Sequence, residues 1–165
     1  MAIQVRGARP QEYEEAGRVT ADAYREFVRP GEAAWEDYLL HIADVAGRAD
    51  RTTVFVAVED ERIVGSATVE TDGRIDLEED GPLGPEEAHI RMLGVAQDAR
   101  GRGVARALMS ACEQRARERG RTLVTLHTTP RMPVAQRMYA SLGYERGPDR
   151  LFDDGFVLLS FSKRL

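Results

Sequence analysis

Val95-Ala96-Gln97-Asp98-Ala99-Arg100-Gly101-Arg102-Gly103-Val104-Ala105 is the stretch that decides how this chain folds. The apolar run before it, residues 89–95, is typical of a strand, and an amphipathic helix begins near Val104. Glycine and alanine leave little side-chain bulk at the junction. Backbone N–H groups at a helix start have no partner within the helix and can bind a phosphate or pyrophosphate. The stretch therefore predicts a site for a phosphate-bearing cofactor.

The composition predicts one globular domain over residues 1–165, with 42% hydrophobic and 31% charged residues. The net charge of −5 argues against a general nucleic-acid binder. The only cysteine, Cys112, excludes a disulfide within the chain and fits a reducing compartment. The sequence contains no long apolar run and no signal-like N-terminus. We therefore expect a cytoplasmic protein that neither spans a membrane nor is secreted.

Residue periodicity predicts a mixed α/β fold with the element order β-α-α-β-β-β-α-β-α-β. The predicted strands cover residues 3–6, 52–58, 62–69, 89–95, 121–128 and 156–163. The predicted helices cover residues 10–27, 35–46, 104–120 and 133–142. Three residues, 59–61, separate the second and third strands, which indicates a hairpin.

The segment 71–87 differs from the rest because it holds seven acidic residues and little apolar periodicity. Pro82 and Pro85 add turn chemistry. The composition favours a solvated connection, and a lid that attracts a cationic substrate is the alternative.

Two common phosphate-binding loops do not fit the junction. A Walker-type loop needs Gly-Lys-Ser or Gly-Lys-Thr, which is absent. A dinucleotide fingerprint needs a third glycine where this chain has Arg106.

The junction instead matches the Arg/Gln-x-x-Gly-x-Gly/Ala pattern of the GCN5-related N-acetyltransferases, through Arg100-x-x-Gly103-x-Ala105. Residues 90–95 resemble the fourth strand of that family. Residues 138–144, Met-Tyr-Ala-Ser-Leu-Gly-Tyr, resemble its Leu-Tyr-x-x-Leu-Gly-Phe helix end. The chain resembles this family over nearly its whole length. The resemblance implies a mixed, mostly antiparallel central sheet flanked by helices.

The resemblance also implies acetyl-CoA as co-substrate and no metal. Family members bind the pyrophosphate on backbone N–H groups of this loop and the pantetheine arm along the fourth strand, as strand addition by a cofactor. The expected cofactor-binding residues are Leu93, Gly94, Val95, Arg100, Gly101, Arg102, Gly103, Val104, Ala105 and Arg106. The Arg102 and Arg106 side chains either add charge near the phosphates or are solvated.

Tyr139 falls where the family has a tyrosine that protonates the departing CoA sulfur. A phenol, with a reference pKa of about 10, can donate a proton at neutral pH. The alternative is an aromatic residue that only packs the last helical turn. Met132 departs from the family, since many members have a cofactor-contacting asparagine there, so we do not transfer that contact.

The general base is less constrained by the sequence. His89 lies where some histone-acetylating relatives carry a glutamate, and an imidazole with a reference pKa of about 6.5 suits a base near neutral pH. Strand alternation predicts that His89, Arg91, Leu93 and Val95 share one face. A purely structural His89 is the alternative. Glu87, His127 or a relay of waters could also serve.

The leading hypothesis is an acetyl-CoA-dependent N-acetyltransferase in which a primary amine attacks the thioester directly. The competing hypothesis is a non-catalytic acyl-CoA-binding sensor or interaction module on the same fold. In the family, residues corresponding to 10–46 and 71–87 determine the acceptor. Their acidic content favours a cationic amine. The sequence is compatible with a monomer or a homodimer.

Overall fold

The structure is a computed structural model that describes residues 2–73 and 81–165. Its central sheet is built from β-branched and small apolar residues. Its strands are β1 Gln4–Gly7, β2 Thr53–Glu59, β3 Arg62–Glu70, β4 Glu87–Val95, β5 Leu123–Thr128, β6 Glu145–Arg146, β7 Arg150–Leu151 and β8 Val157–Arg164. Its helices are α1 Tyr13–Arg25, α2 Ala33–Ala43, α3 Val104–Glu118 and α4 Pro133–Ser141.

The strands are arranged in the order β1-β2-β3-β4-β5-β8-β6, and β7 pairs with β8. The β4–β5 pair is parallel and the other neighbours are antiparallel. This confirms the predicted mixed α/β fold with a mostly antiparallel sheet. The short β6 and β7 were not predicted, because two residues are too few to show periodicity.

Most predicted elements occur within a few residues of their expected bounds. The first helix differs in that residues 10–12 form a 3₁₀ turn before α1. Glu87 belongs to β4 rather than to the acidic connection. Of the predicted 71–87 segment, residues 74–80 lie outside the described residues, and both interpretations of the segment stay predictions.

The helices cover both faces of the sheet. On one face Leu108, Met109 and Cys112 of α3 pack with Ile90 and Leu126 of the sheet. Residues of α4 join this cluster, including Met138 and Tyr139. On the other face, Leu39 and Ile42 of α2 pack with Ala21 of α1 and Met92 of β4. β4 is therefore held between the two helical layers.

A β-bulge interrupts β4 at Met92. Ser66 of β3 lies opposite Gly94, and Thr68 lies opposite Arg91, so β4 has one more residue than β3 in this interval. Met92 takes a φ of +56°, a value that favours glycine. Bulges and residues in this region cluster at functional sites, because a bulge redirects the strand and its side chains.

The bulge also shifts the alternation of side chains along β4. Arg91 interacts with Glu70 and with Tyr24 of α1, whereas Leu93 and Val95 pack in the α3 cluster. The prediction that His89, Arg91, Leu93 and Val95 share one face is therefore wrong. The extra residue moves Leu93 and Val95 to the opposite side.

β4 and β5 separate beyond the bulge. Their parallel pairing runs from Glu87↔Leu123 to Ile90↔Leu126 and ends there. β5 continues along β8 as far as Thr128, and β4 continues along β3 to Val95. Among the described residues, the β5-facing edge of residues 92–95 consequently has no neighbouring strand.

Gly17 allows α1 to approach α2 closely, and this approach generates a prediction about stability. A Cβ at this position would lie 2.0 Å from the Ala43 carbonyl oxygen. Alanine favours a helix over glycine by about 1 kcal/mol, but overpacking typically costs about 1–3 kcal/mol. The net effect of Gly17→Ala should be to lower the free energy of unfolding by as much as about 2 kcal/mol, measured by urea denaturation.

Gly7→Ala is the matched control, because a Cβ at Gly7 meets no atom within 4 Å. It should leave the urea midpoint nearly unchanged. A Gly17→Ala protein as stable as the unmodified chain would contradict this account of the α1–α2 contact.

Candidate active site

The separation of β4 and β5 opens a cleft of about 1470 Å³. Its walls come from β4, the start of α3, α4, the α1–α2 region and the segment between β7 and β8. Pockets for a single small ligand usually measure about 300–1,000 Å³. The cleft is therefore large enough for two substrates that meet at its middle.

One end of the cleft is formed by residues 100–106, which we call the α3 cradle. Gly101 and Gly103 have φ values of +74° and +84°, in the left-handed region that glycine adopts without strain. Gly103 is the N-cap of α3, and the first turn of α3 contains no acidic side chain. The amide groups at the start of a helix have no intrahelical acceptor. The cradle thus offers backbone donors and the positive end of the helix dipole to an anion.

Arg100 holds the cradle against the rest of the fold. Its Nε donates to the Val95 carbonyl oxygen at 3.2 Å, and its Nη1 donates to Glu26 at 2.7 Å. These contacts tie the cradle to the end of β4 and to the residue that follows α1.

The other two arginines of the cradle point in different directions. Arg102 makes two hydrogen bonds of 2.7 Å to the Glu59 carboxylate at the end of β2. Arg106 donates to the Ser141 hydroxyl of α4 at 2.6 Å. Nine of the ten predicted cofactor residues line the cleft, namely Leu93, Gly94, Val95, Arg100, Gly101, Gly103, Val104, Ala105 and Arg106. The Arg102 side chain is instead engaged with Glu59.

The edge of β4 that faces the cleft is shaped by its contact with α1. A Cβ at Gly94 would lie 3.1–3.2 Å from atoms of Thr20 and Ala23, so glycine lets the strand and helix approach. The Leu93 backbone amide tends to lower the pKa of the Tyr24 hydroxyl, an effect smaller than that of burial. Burial raises the pKa of Tyr24 well above its ordinary value. This phenol is therefore neutral and can also donate a hydrogen bond.

Tyr139 lines the cleft from α4 and is only 7% exposed. Its ring packs against Phe161 at 5.7 Å and Tyr144 at 6.1 Å between centroids. Burial raises the pKa of the Tyr139 phenol, and the neighbouring Cys112 raises it further. The hydroxyl is therefore protonated at neutral and mildly alkaline pH, as a proton donor must be.

His89 forms a hydrogen-bonded chain with two neighbours on β4 and β5. The parallel register places Thr125 beside His89, and Nδ1 lies 2.8 Å from the Thr125 Oγ1. The Thr125 hydroxyl donates to the Glu87 carboxylate, so its oxygen accepts the proton on His89 Nδ1. In the neutral imidazole, Nε2 is then the unprotonated nitrogen. A histidine base whose Nδ1–H donates to an orienting group requires this tautomer, because Nε2 must accept the proton.

The two other candidate bases belong to the same group of side chains. The His127 ring centroid lies 5.0 Å from that of His89, and its Nδ1 lies 3.3 Å from the Ser160 Oγ. His89 and His127 both line the cleft, whereas Glu87 lies behind His89 through Thr125. Sequence reasoning missed Thr125. Side-chain alternation along β5 places Thr125 on the same face as His127. It does not reveal the register between β5 and β4, which brings Thr125 beside His89.

Met132 lies at the N-cap of α4 and lines the cleft. Its Sδ accepts a weak hydrogen bond of 3.5 Å from the Thr128 hydroxyl. The thioether thus fills the position for which the family pattern has an asparagine.

Over residues 2–73 and 81–165, no group of three or more His, Cys, Asp or Glu side chains is arranged to hold a metal ion. Within the same ranges, no helix has the length and apolar character needed to cross a membrane.

Comparison with known proteins gives one matching family model, the acetyltransferase (GNAT) family, over residues 18–144. N-acetyltransferase 8B of Rattus norvegicus is 32% identical over 143 residues, which cover 78% of this chain and 62% of the rat protein. Probable N-acetyltransferase family 8 member 5 of Mus musculus is 33% identical over 82 residues, covering 50% and 36% of the two chains. The chain thus spans about three fifths or less of the length of these relatives.

Solved structures show the same fold at low identity. Ribosomal-protein-alanine N-acetyltransferase from Brucella melitensis has a TM-score of 0.73 and 22% identity, with 98% of this chain and 99% of the other covered. The PaiA N-acetyltransferase of Thermoplasma acidophilum, solved with coenzyme A, has a TM-score of 0.73 and 13% identity over 100% of both chains. The protein yncA of Salmonella typhimurium, solved with acetyl-CoA, has a TM-score of 0.70 and 16% identity, covering 100% and 95%.

The family model matches well over half of the chain, and it includes β4, the α3 cradle and Tyr139. The TM-scores of 0.70–0.73 show that the fold agrees with the structural matches. This chain belongs to the GNAT family of acetyltransferases.

Proposed function

We propose that this protein transfers the acetyl group of acetyl-CoA to a primary amine, which attacks the thioester directly. One observation carries the proposal: the open edge of β4 leads straight into the α3 cradle within a single cleft. An extended chain with amide groups can pair with that edge, while an anion at its end binds the cradle. Pantetheine joined to pyrophosphate has this chemistry. Two proteins of the same fold were solved with acetyl-CoA or coenzyme A, which supports the assignment.

In this proposal the backbone rather than the arginine side chains binds the pyrophosphate. Arg100 and Arg102 are engaged by Glu26 and Glu59, so their role is to brace the loop. The amides of residues 101–106 then act as the donors. Arg106 lines the cleft and contributes positive charge near the phosphates.

The transition state develops negative charge on the carbonyl oxygen and then on sulfur. In this proposal, the backbone amides of the segment 93–95 that face the open edge of β4 donate to that oxygen. Tyr139 donates its proton to the departing sulfur, and its raised pKa keeps that proton available. The leaving group is then the neutral thiol of coenzyme A.

His89 acts as the base that removes a proton from the incoming ammonium, in this proposal. Thr125 and Glu87 orient the ring and stabilise the imidazolium through one hydroxyl bridge. A catalytic triad is arranged similarly, with a carboxylate that fixes the histidine tautomer. His127 remains beside it as a second imidazole.

The release of free thiol from acetyl-CoA in the presence of a panel of amines tests the proposed reaction. Amine-dependent release, with the acetylated amine identified by mass spectrometry, is the expected result. Saturable CoA binding without thiol release across the panel would instead identify a non-catalytic acyl-CoA-binding module.

Tyr139→Phe tests the acid role within that assay. The variant keeps the ring contacts with Phe161 and Tyr144 and removes only the hydroxyl. We expect kcat to fall about 10²-fold or more, in the range typical of general-acid catalysis, while the Kd for CoA changes less than twofold.

Tyr144→Phe is the matched control, since Tyr144 packs on the same ring but donates to Glu113. Its kcat should stay close to that of the unmodified protein. Equal turnover of Tyr139→Phe and the unmodified protein over all accepted amines would remove Tyr139 as the acid.

His89→Gln tests the base through the pH dependence of kcat/KM. A base must be unprotonated, so the rate rises with pH to an alkaline plateau. We expect His89→Gln to lower that plateau by about 10²-fold. Thr125→Val removes the hydroxyl that joins His89 Nδ1 to the Glu87 carboxylate, so it should also lower the plateau, by a smaller factor than His89→Gln. Profiles unaltered in both variants would exclude this base.

A further inference from the structure

We propose that the acceptor half of the cleft is an aromatic subsite that selects amines carrying an aromatic ring. The subsite consists of Tyr24, Trp35, Tyr38, Phe152 and Phe156, all of which line the cleft. The inference rests on the proposed acetyltransferase function and names the class of its acceptor.

The five rings form a continuous row. The centroid distances are 5.6 Å for Phe152–Phe156, 5.9 Å for Phe156–Trp35, 5.9 Å for Trp35–Tyr38 and 6.5 Å for Tyr38–Tyr24. All five side chains are partly exposed. The row therefore presents one continuous apolar ring surface to the cleft, from α1 and α2 to the segment between β7 and β8. An aromatic group that lies on this surface would gain ring contacts as well as burial.

The row leads to the reaction centre. Tyr24, at its inner end, lines the same cleft as Leu93 on the open edge of β4 and interacts with its backbone. Phe152 and Phe156 form its outer end and belong to the segment between β7 and β8. An amine bound among the rings can thus reach the thioester position while its ring stays in the subsite.

The position of Trp35 is fixed by a neighbouring ion pair. The Arg131 guanidinium lies 5.8 Å from the Trp35 ring centroid and makes two 2.8 Å hydrogen bonds to Glu32. Arg131 also donates to the Phe27 carbonyl oxygen at 2.9 Å. The ring is therefore preorganised, which reduces the entropy lost when a ligand binds.

The charges of the cleft do not favour a polycation. Among the described lining residues there are four arginines and three carboxylates, which are Arg91, Arg100, Arg106, Arg131, Glu26, Glu32 and Asp154. Glu26 and Glu32 pair with arginines, and Asp154 accepts the Phe156 amide hydrogen bond. The overall acidity that favoured a cationic acceptor thus does not extend to the lining residues that the structure describes. Contact with the apolar rings is therefore the main property by which this cleft can distinguish one amine from another.

Trp35 provides a direct readout of binding, because it is the only tryptophan of the chain. In the presence of CoA, the protein is titrated with phenylalaninamide, alaninamide and spermidine while tryptophan fluorescence is recorded. Phenylalaninamide and alaninamide carry the same charge and differ by a phenyl ring. We expect phenylalaninamide to saturate the fluorescence change at a concentration at least about tenfold lower. Equal or tighter binding of alaninamide or spermidine would overturn the proposal.

Variants of Trp35 give the corresponding kinetic test. Trp35→Ala should lower the ratio of kcat/KM for phenylalaninamide over alaninamide about tenfold, mainly through KM. Trp35→Phe keeps a ring and should retain most of the preference, so it also controls for misfolding. Leu40→Ala, on the same helix and 72% exposed, should leave the ratio unchanged. A ratio that is unaffected by Trp35→Ala would contradict the subsite.

The two proposals fail in different ways. Aromatic preference in the fluorescence titration without thiol release from any amine would refute acetyl transfer and leave the subsite standing. Thiol release that is fastest with spermidine would refute the subsite and leave acetyl transfer standing.

Discussion

The separation of β4 from β5 is the constraint on which the rest of the site depends. β4 stays with β3 and β5 stays with β8, so the parallel pairing cannot continue past Ile90↔Leu126. The bulge at Met92 accompanies this divergence and turns the following backbone toward α1. Gly94 lets α1 lie close enough to hold the strand there. A strand edge that would otherwise be paired is kept open in this way.

Side chains and backbone have different tasks around the cleft. Ion pairs such as Arg100–Glu26 and Arg102–Glu59 fix the loops, and exposed pairs of this kind contribute little stability individually. Left-handed glycines expose the amides of the α3 cradle for a ligand. Where β4 and β5 pair, the Glu87–Thr125–His89 chain defines one histidine tautomer. In the proposed mechanism, this geometry combines a backbone site for the donor with a side-chain site for proton transfer.

Local sequence patterns predicted the elements and the α3 cradle well, because glycine position and helical periodicity act over a few residues. They failed at Met92, since alternation assumes regular pairing and a bulge depends on the partner strand. Thr125 was missed because its contact with His89 depends on the register of strands 36 residues apart. The aromatic row was missed for the same reason, since Phe152 and Phe156 meet Trp35 only through the tertiary fold.

The central claim, that the backbone of the α3 cradle binds the donor, is tested most directly by the affinity for CoA of two glycine variants, measured by calorimetry. Gly103 and Gly120 lie at opposite ends of α3 with φ values of +84° and +73°. A left-handed alanine costs about 1–2 kcal/mol, so Gly103→Ala and Gly120→Ala should destabilise the fold similarly. The account predicts that Gly103→Ala raises the Kd for CoA about tenfold while Gly120→Ala leaves it unchanged. Equal, unaltered affinity in both variants would contradict it.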